Sequence, residues 1–156
     1  MRCTVISLLF VSAFVFAQDD KEIALLSGSW NCPIDIKVDE IKLEGTALDN
    51  YKSDDMTYTS DSTITFIYGD KLPIAKIRMI ESGKWTYKNS QLVYHTGDLK
   101  LEVIFDYENI LTNENVTQMK KDIMEDEAPI ITNSINSKVW VTTDPETTET
   151  SECYKV

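Results

Sequence analysis

The most constraining feature of this chain is a strict alternation of apolar and polar side chains near its beginning. From Trp30 to Val38 every second residue is apolar, and each residue between them is polar or proline. A period of two places the apolar set on one face, so the segment is predicted to be a β-strand with one buried face. Shorter runs of this period recur, separated by turn-like stretches. These stretches are residues 60–62, 68–73, 81–83, 88–90 and 96–98. This rhythm is typical of a meander of antiparallel hairpins.

One later stretch has the spacing of a helix instead. Val116, Met119 and Ile123 recur at offsets of three and seven residues, and Thr112 or Asn113 is a candidate N-cap. Because this apolar stripe is narrow, the helix is expected on a surface or across a rim rather than in a core. Two strands around a Thr- and Glu-rich turn are predicted after it. The chain is therefore predicted to form one all-β domain, an antiparallel barrel of eight to ten strands with one short helix.

The first residues predict export. Residues 1–17 carry one positive charge at Arg2, then an apolar run over 5–16, and end on the small residue Ala17. This is the pattern of a cleaved secretory signal peptide, and the run is short for a membrane span. We expect residues 18–156 to form the single domain, located in a periplasm or secreted.

The net charge limits the classes of partner that the protein is expected to bind. The formal net charge is −11, which disfavours binding to nucleic acid, anionic lipid and other acidic partners. No second apolar stretch follows the first, so no membrane span is expected.

The cysteines predict one disulfide. Cys3 would leave with the signal peptide, and only Cys32 and Cys153 would remain in an oxidising compartment. These two are expected to pair, tying the beginning of the domain to its end. No thiol would then be left for catalysis.

Other chemistry has little support in the sequence. A single histidine, His95, argues against a histidine-based triad or a multi-histidine metal site. Two acidic clusters could contact a hard cation, but neither matches an EF-hand loop, and we expect both to be solvated. The clusters are Asp54, Asp55 and Asp61, and Glu125, Asp126 and Glu127. We therefore expect no enzyme activity, no metal and no cofactor.

Short motifs carry a family resemblance. Gly28-Ser29-Trp30, just after an amphipathic turn, resembles the opening of lipocalin and lipocalin-like (calycin) barrels. Gly83-Lys84-Trp85, followed by a Leu-x-Tyr strand, is similar to small exported bacterial members. The resemblance implies that Trp30 plugs the closed end of the barrel under a basic side chain of the last strand, here Lys155. One departure is that strands follow the predicted helix, whereas the lipocalin helix follows the last barrel strand.

Aromatic residues suggest where a ligand could bind. Six of them share the predicted inward phase and could line an apolar pocket, or could simply pack the core. They are Tyr58, Phe66, Trp85, Tyr87, Tyr94 and Phe105. The resemblance favours an exported binding protein for a small apolar or amphipathic ligand. The alternative is a non-enzymatic protein-interaction module, such as an exported inhibitor or an envelope accessory factor. An open cavity would favour the first, and a filled interior with an exposed apolar patch the second.

Overall fold

The protein folds as a closed ring of eight strands in sequence order, each antiparallel to the next. The computed structural model describes residues 19–69, 72–145 and 148–156, so the predicted signal peptide lies outside the described residues. The strands are β1 (Gly28–Val38), β2 (Ile41–Lys52), β3 (Thr57–Tyr68), β4 (Leu72–Lys88), β5 (Gln91–Asp106), β6 (Ile130–Ile135), β7 (Val139–Thr143) and β8 (Thr150–Lys155). The prediction of an all-β antiparallel barrel is confirmed.

The first and last strands close the ring through a short seam. β1 pairs with β2 along its full length, but with β8 only at Trp30 opposite Lys155 and Asn31 opposite Tyr154. A disulfide between Cys32 and Cys153 joins the same two strands, with sulfur atoms 2.05 Å apart. The predicted pairing is therefore confirmed, and it suits an oxidising, exported environment.

Trp30 lies at the closed end of the barrel. Its ring is fully buried, and its indole N–H donates to the carbonyl of Leu26 at 2.7 Å. The Nζ atom of Lys155 lies 4.7 Å from the centroid of the Trp30 ring. The same ammonium donates to two carbonyls at the end of the first helix, at 2.7 and 2.5 Å. Gly28 leaves room for it, since a Cβ there would lie 3.1 Å from Lys155 Cε. The basic side chain that the resemblance implied over Trp30 is present.

There are two described helices rather than one. The amphipathic turn before β1 is a helix, α1 (19–26). The predicted helix is α2 (Asn113–Glu125), which contacts β5 and has no buried residue. Its position on the surface agrees with its narrow apolar stripe. Three strands follow α2 rather than two, because residues 130–135 form β6. Neither helix is long and apolar enough to cross a bilayer.

Three of the predicted breaks are wrong. Residues 60–62, 81–83 and 96–98 lie inside β3, β4 and β5 rather than at turns. The physical reason is that some polar side chains of these segments face the barrel interior, so they interrupt the apolar pattern without ending the strand. A bulge of β5 at Gly97, opposite Ser82 and Gly83, also shifts the phase of β5. The four predicted strand runs over 72–105 are in fact two long strands.

Candidate functional site

The end of the barrel next to α1 is filled by side chains. Its core contains three tryptophans whose indole N–H groups are all hydrogen-bonded, Trp85 to the carbonyl of Thr57 at 3.0 Å and Trp140 to Thr132 Oγ1 at 3.1 Å. The buried cluster consists of Leu26, Trp30, Cys32, Tyr51, Tyr58, Trp85, Tyr87, Leu92, Trp140 and Cys153. Because side chains pack closely at this end of the barrel, we interpret it as a structural core that supports the fold.

Next to this core lies a polar row that crosses three strands. Asp49 on β2 pairs with Ser60 on β3, and Ser60 pairs with Glu81 on β4. Asp49 also lies opposite the buried Trp30, which places the row on the inner face of the sheet. Two carboxylates and a buried hydroxyl therefore occupy positions that a simple barrel core would fill with apolar side chains.

A cluster of three tyrosines lies beside the polar row, on β2, β3 and β5. The rings of Tyr58 and Tyr94 have centroids 4.8 Å apart, and that of Tyr51 lies 6.2 Å from Tyr94. The hydroxyls of Tyr51 and Tyr94 are hydrogen-bonded to each other. Tyr58 Oη lies 2.8 Å from Thr96 Oγ1. Desolvation raises the pKa of Tyr58 to about 12 and the pKa values of Tyr51 and Tyr94 well above the ordinary value. The three hydroxyls are therefore neutral hydrogen-bonding groups near pH 7.

Gly83 makes this arrangement sterically feasible. It lies between Tyr58 and Thr96 in the sheet register, opposite a bulge of β5 at Gly97. A Cβ at this position would lie 2.2 Å from the backbone carbonyl oxygen of His95. The absence of a side chain lets the two strands approach closely, and the hydrogen bond between Tyr58 and Thr96 spans the position.

A cavity of about 260 Å³ lies against these rows. The strands supply one wall, which includes Tyr58, Met79, Glu81, Tyr94 and Thr96. The opposite wall comes from Ile123 of α2, from residues 126 and 128–130, and from Asp144. Helix α2 and the segment after it therefore cover a mixed polar and apolar space inside the mouth of the barrel.

The pKa values of the two inner carboxylates, Asp49 and Glu81, are raised above their ordinary values. Desolvation, followed by repulsion from Asp49, raises the pKa of Glu81 to about 7. Burial also raises the pKa of Asp49, although hydrogen bonds from Ser60 and Tyr51 oppose this. Among the described residues, Glu81 makes no hydrogen bond and no ion pair. Its charge is therefore balanced only poorly by the protein itself.

The six predicted ligand-contacting aromatics do not form one site. Tyr58 and Tyr94 line the cavity, and Tyr58 also belongs to the buried cluster. Trp85 and Tyr87 belong to that cluster and do not line the cavity. Phe66 borders a shallow groove near the turn between β1 and β2, and Phe105 stacks on exposed Tyr107 with centroids 4.8 Å apart. Ligand contact by any of the six stays a prediction.

The other candidate groups lie mostly on the surface. His95 is exposed, with Nδ1 3.4 Å from Glu127 Oε1. Asp61 accepts two hydrogen bonds from Arg78, at 2.9 and 2.6 Å. Of the predicted acidic clusters, only Asp126 lines the cavity. Sequence reasoning missed Asp49 and Glu81, and the available signal was a polar residue at an inward position of a strand.

Comparison with known proteins assigns no family to the chain. Neither the protein-family models nor the curated protein sequences contain a match to it. The function is therefore inferred from the geometry of the barrel and its cavity.

Proposed function

We propose that this protein is an exported, non-enzymatic binding protein of lipocalin-like architecture, which holds a small amphipathic molecule in the cavity beneath α2. The observation that carries the proposal is the mixed lining of the cavity. Met79, Ile123 and Ile130 provide apolar surface, and Glu81 and Thr96 provide polar groups. Ligand sites commonly combine an apolar wall with a few polar groups that fix orientation.

The size of the cavity limits the ligand. A space of about 260 Å³ is smaller than a typical drug-binding pocket and suits a ligand of roughly ten non-hydrogen atoms. Covering about 200 Å² of apolar ligand surface would contribute on the order of 5 kcal/mol before association costs. Affinities in the micromolar to millimolar range are therefore expected for a molecule of this size. A long lipid chain or a haem-sized ligand is too large for this space.

Export is the second part of the proposal. The predicted signal peptide at residues 1–17 and the disulfide between Cys32 and Cys153 both favour a periplasmic or secreted location. A carrier that meets its ligand outside the cytoplasm would have both features.

A protein-interaction module is the second candidate, and one observation favours it. Tyr68 and Leu72 pair at the far end of β3 and β4 and are about half exposed, at 49% and 56%. Tyr107, which is 75% exposed, lies nearby, since its N–H donates to the carbonyl of Ile74 at 2.8 Å. An exposed apolar group of this kind is common in surfaces that bind other proteins.

A cavity-blocking variant distinguishes the two candidates. Ala128 lines the cavity, so Ala128→Phe places a ring inside it, whereas Thr46→Phe adds the same ring on the exposed face of β2. The test titrates each protein with a panel of small amphipathic compounds and follows tryptophan and tyrosine fluorescence. We expect wild type and Thr46→Phe to bind a common compound and Ala128→Phe to bind none. Equal binding by both variants would exclude the cavity, and no binding by any of the three would favour the interaction module.

A further inference from the structure

The charged side chains that line the cavity are all acidic. Glu81 lines it from β4, Asp126 from the segment after α2, and Asp144 from the residue that follows β7. Asp49 on β2 is close enough to Glu81 to raise its pKa. The described lining contains no lysine, arginine or histidine. A described lining whose charged side chains are all of one sign favours a positive ligand group.

Glu81 is the acid in this set that most needs a partner. Ser60 and Tyr51 lower the pKa of Asp49 against the effect of burial, and Asp126 accepts from the backbone N–H of Ala128 at 2.8 Å. Glu81 is half-buried, yet it has neither a hydrogen bond nor an ion pair within the described chain. A desolvated carboxylate without a partner is unfavourable, and an ammonium donor at that point would relieve the penalty.

The surroundings of Glu81 suit an organic cation better than a metal ion. The faces of Tyr58 and Tyr94 can attract a cation electrostatically, and Met79 and Ile123 can contact its hydrocarbon part. The described residues contain no group of three His, Cys, Asp or Glu side chains placed to hold a metal. An oxygen-rich shell, which hard metal ions require, is not formed here.

These observations together define a ligand class. Resting on the proposed function above, we propose that the cavity binds a small organic amine, whose ammonium group pairs with Glu81 and whose apolar part lies between the tyrosines and α2. Asp49 supports this recognition by adding negative potential behind Glu81. Asp126 and Asp144, which are exposed, attract the cation at the edge of the cavity.

Binding of an amine would change the titration of Glu81. In the free protein, repulsion and desolvation raise the pKa of Glu81, so part of the population is neutral near pH 7. An ammonium group beside it favours the carboxylate. Binding of the amine is therefore expected to release protons in that pH range.

Three compounds with the same ring and chain length but different charge provide the test. They are 2-phenylethylamine, 2-phenylethanol and phenylacetate, and calorimetry measures the binding of each to the wild-type protein. Because a hydrogen bond to a charged group is stronger than a neutral one, we expect the amine to bind roughly ten to one hundred times more tightly than the alcohol. Phenylacetate is expected to bind more weakly than either.

Two variants test whether the tighter binding of the amine depends on Glu81. Glu81→Gln keeps the shape of the side chain, so the amine should lose about tenfold or more in affinity while the alcohol is unchanged. Glu108→Gln removes an exposed carboxylate after β5 and should leave both affinities unchanged. Unaltered binding of the alcohol also shows that Glu81→Gln has folded.

The outcomes separate this inference from the proposed function. If the alcohol binds wild type as tightly as the amine, or if Glu81→Gln binds the amine as well as wild type does, the inference is wrong but the cavity remains a binding site. If none of the three compounds binds at concentrations up to about 1 mM, the inference is wrong, and the panel titration of wild type and Ala128→Phe decides the proposed function separately.

Discussion

Asp49 and Glu81 lie on either side of Ser60 on the inner face of the barrel, one on β2 and the other on β4. Each carboxylate is desolvated, and Asp49 raises the cost of ionising Glu81. Such a pair reduces the stability of the free protein when both groups are charged. Residues that reduce stability in this way are frequently retained for binding.

The titration of Glu81 predicts how stability depends on pH. The pKa of Glu81 is about 7 in the folded protein, and its ordinary value is 4.5. As the pH rises, Glu81 therefore loses its proton at a lower pH in the unfolded chain than in the folded protein. The contribution of Glu81 to stability is therefore fully present below about pH 4.5 and is lost as the pH rises to about 7. Glu81→Gln should remove this loss. Allowing for partial solvent screening, we expect the variant to be more stable than wild type by on the order of 2 kcal/mol near pH 8, and equal to it near pH 4.

Urea unfolding at a series of pH values measures this difference. Glu108→Gln, an exposed acid, serves as the control and should follow the wild-type curve. If Glu81→Gln and wild type differ by the same amount at all pH values, Glu81 titrates normally and the description of the polar row is wrong.

Gly83 and Gly97 provide a matched pair of substitutions. A Cβ at Gly83 would lie 2.2 Å from a backbone oxygen, whereas at Gly97 the nearest atom would be 3.7 Å away. Gly83→Ala must displace β5 and should cost roughly 1 to 3 kcal/mol of stability. Gly97→Ala should change it by less than about 0.5 kcal/mol. Denaturant unfolding compares the two, and equal effects would mean that the strands do not approach closely at the bulge.

Among the side chains at the closed end of the barrel, Trp30 is expected to contribute most to the free energy of unfolding. It is fully buried, it packs edge-to-face against Trp140 with ring centroids 5.9 Å apart, and the ammonium group of Lys155 lies over its ring. Trp30→Ala should lower the free energy of unfolding by roughly 3 to 5 kcal/mol, and Trp30→Phe should lower it less. A loss below about 1 kcal/mol for the alanine variant in a denaturant titration would show that Trp30 is not a buried plug.

The disulfide is expected to stabilise the ring chiefly through the unfolded state. It joins residues 121 positions apart, for which the chain-entropy model gives about 4 to 5 kcal/mol as an upper figure. Replacing Cys32 and Cys153 together by alanine should therefore lower stability by up to this amount. Thiol labelling of the unfolded, unreduced protein should find neither cysteine reactive, and labelling of both would contradict the pairing.

The outline of the fold could be predicted from the sequence because its signals are local. The alternation after Trp30, the spacing of Val116, Met119 and Ile123, and the two cysteines each indicate an element or a bond without knowledge of the rest. The closure of the ring followed from them, together with the resemblance at Gly28-Ser29-Trp30.

The polar row could not be predicted in the same way. Ser60-Asp61-Ser62 and Glu81-Ser82-Gly83 have the composition of turns, and only the sheet register brings Asp49, Ser60 and Glu81 together. Glu81 keeps the inward phase of Trp85, four residues later, but its charge and the neighbouring Ser82 and Gly83 favour a turn in the sequence rather than a buried position. The residues that define the cavity are therefore those that break the local pattern.

The most direct test of the account is a carbon-13 NMR titration of the Glu81 side-chain carboxyl, assigned by the loss of its signal in Glu81→Gln. In the free protein we predict a pKa of about 7. Saturation with 2-phenylethylamine should lower this pKa, because the bound ammonium stabilises the carboxylate. A pKa near the ordinary value of 4.5 in the free protein, or a pKa that the amine does not move, would contradict the claim that Glu81 is the centre of a binding site for organic cations.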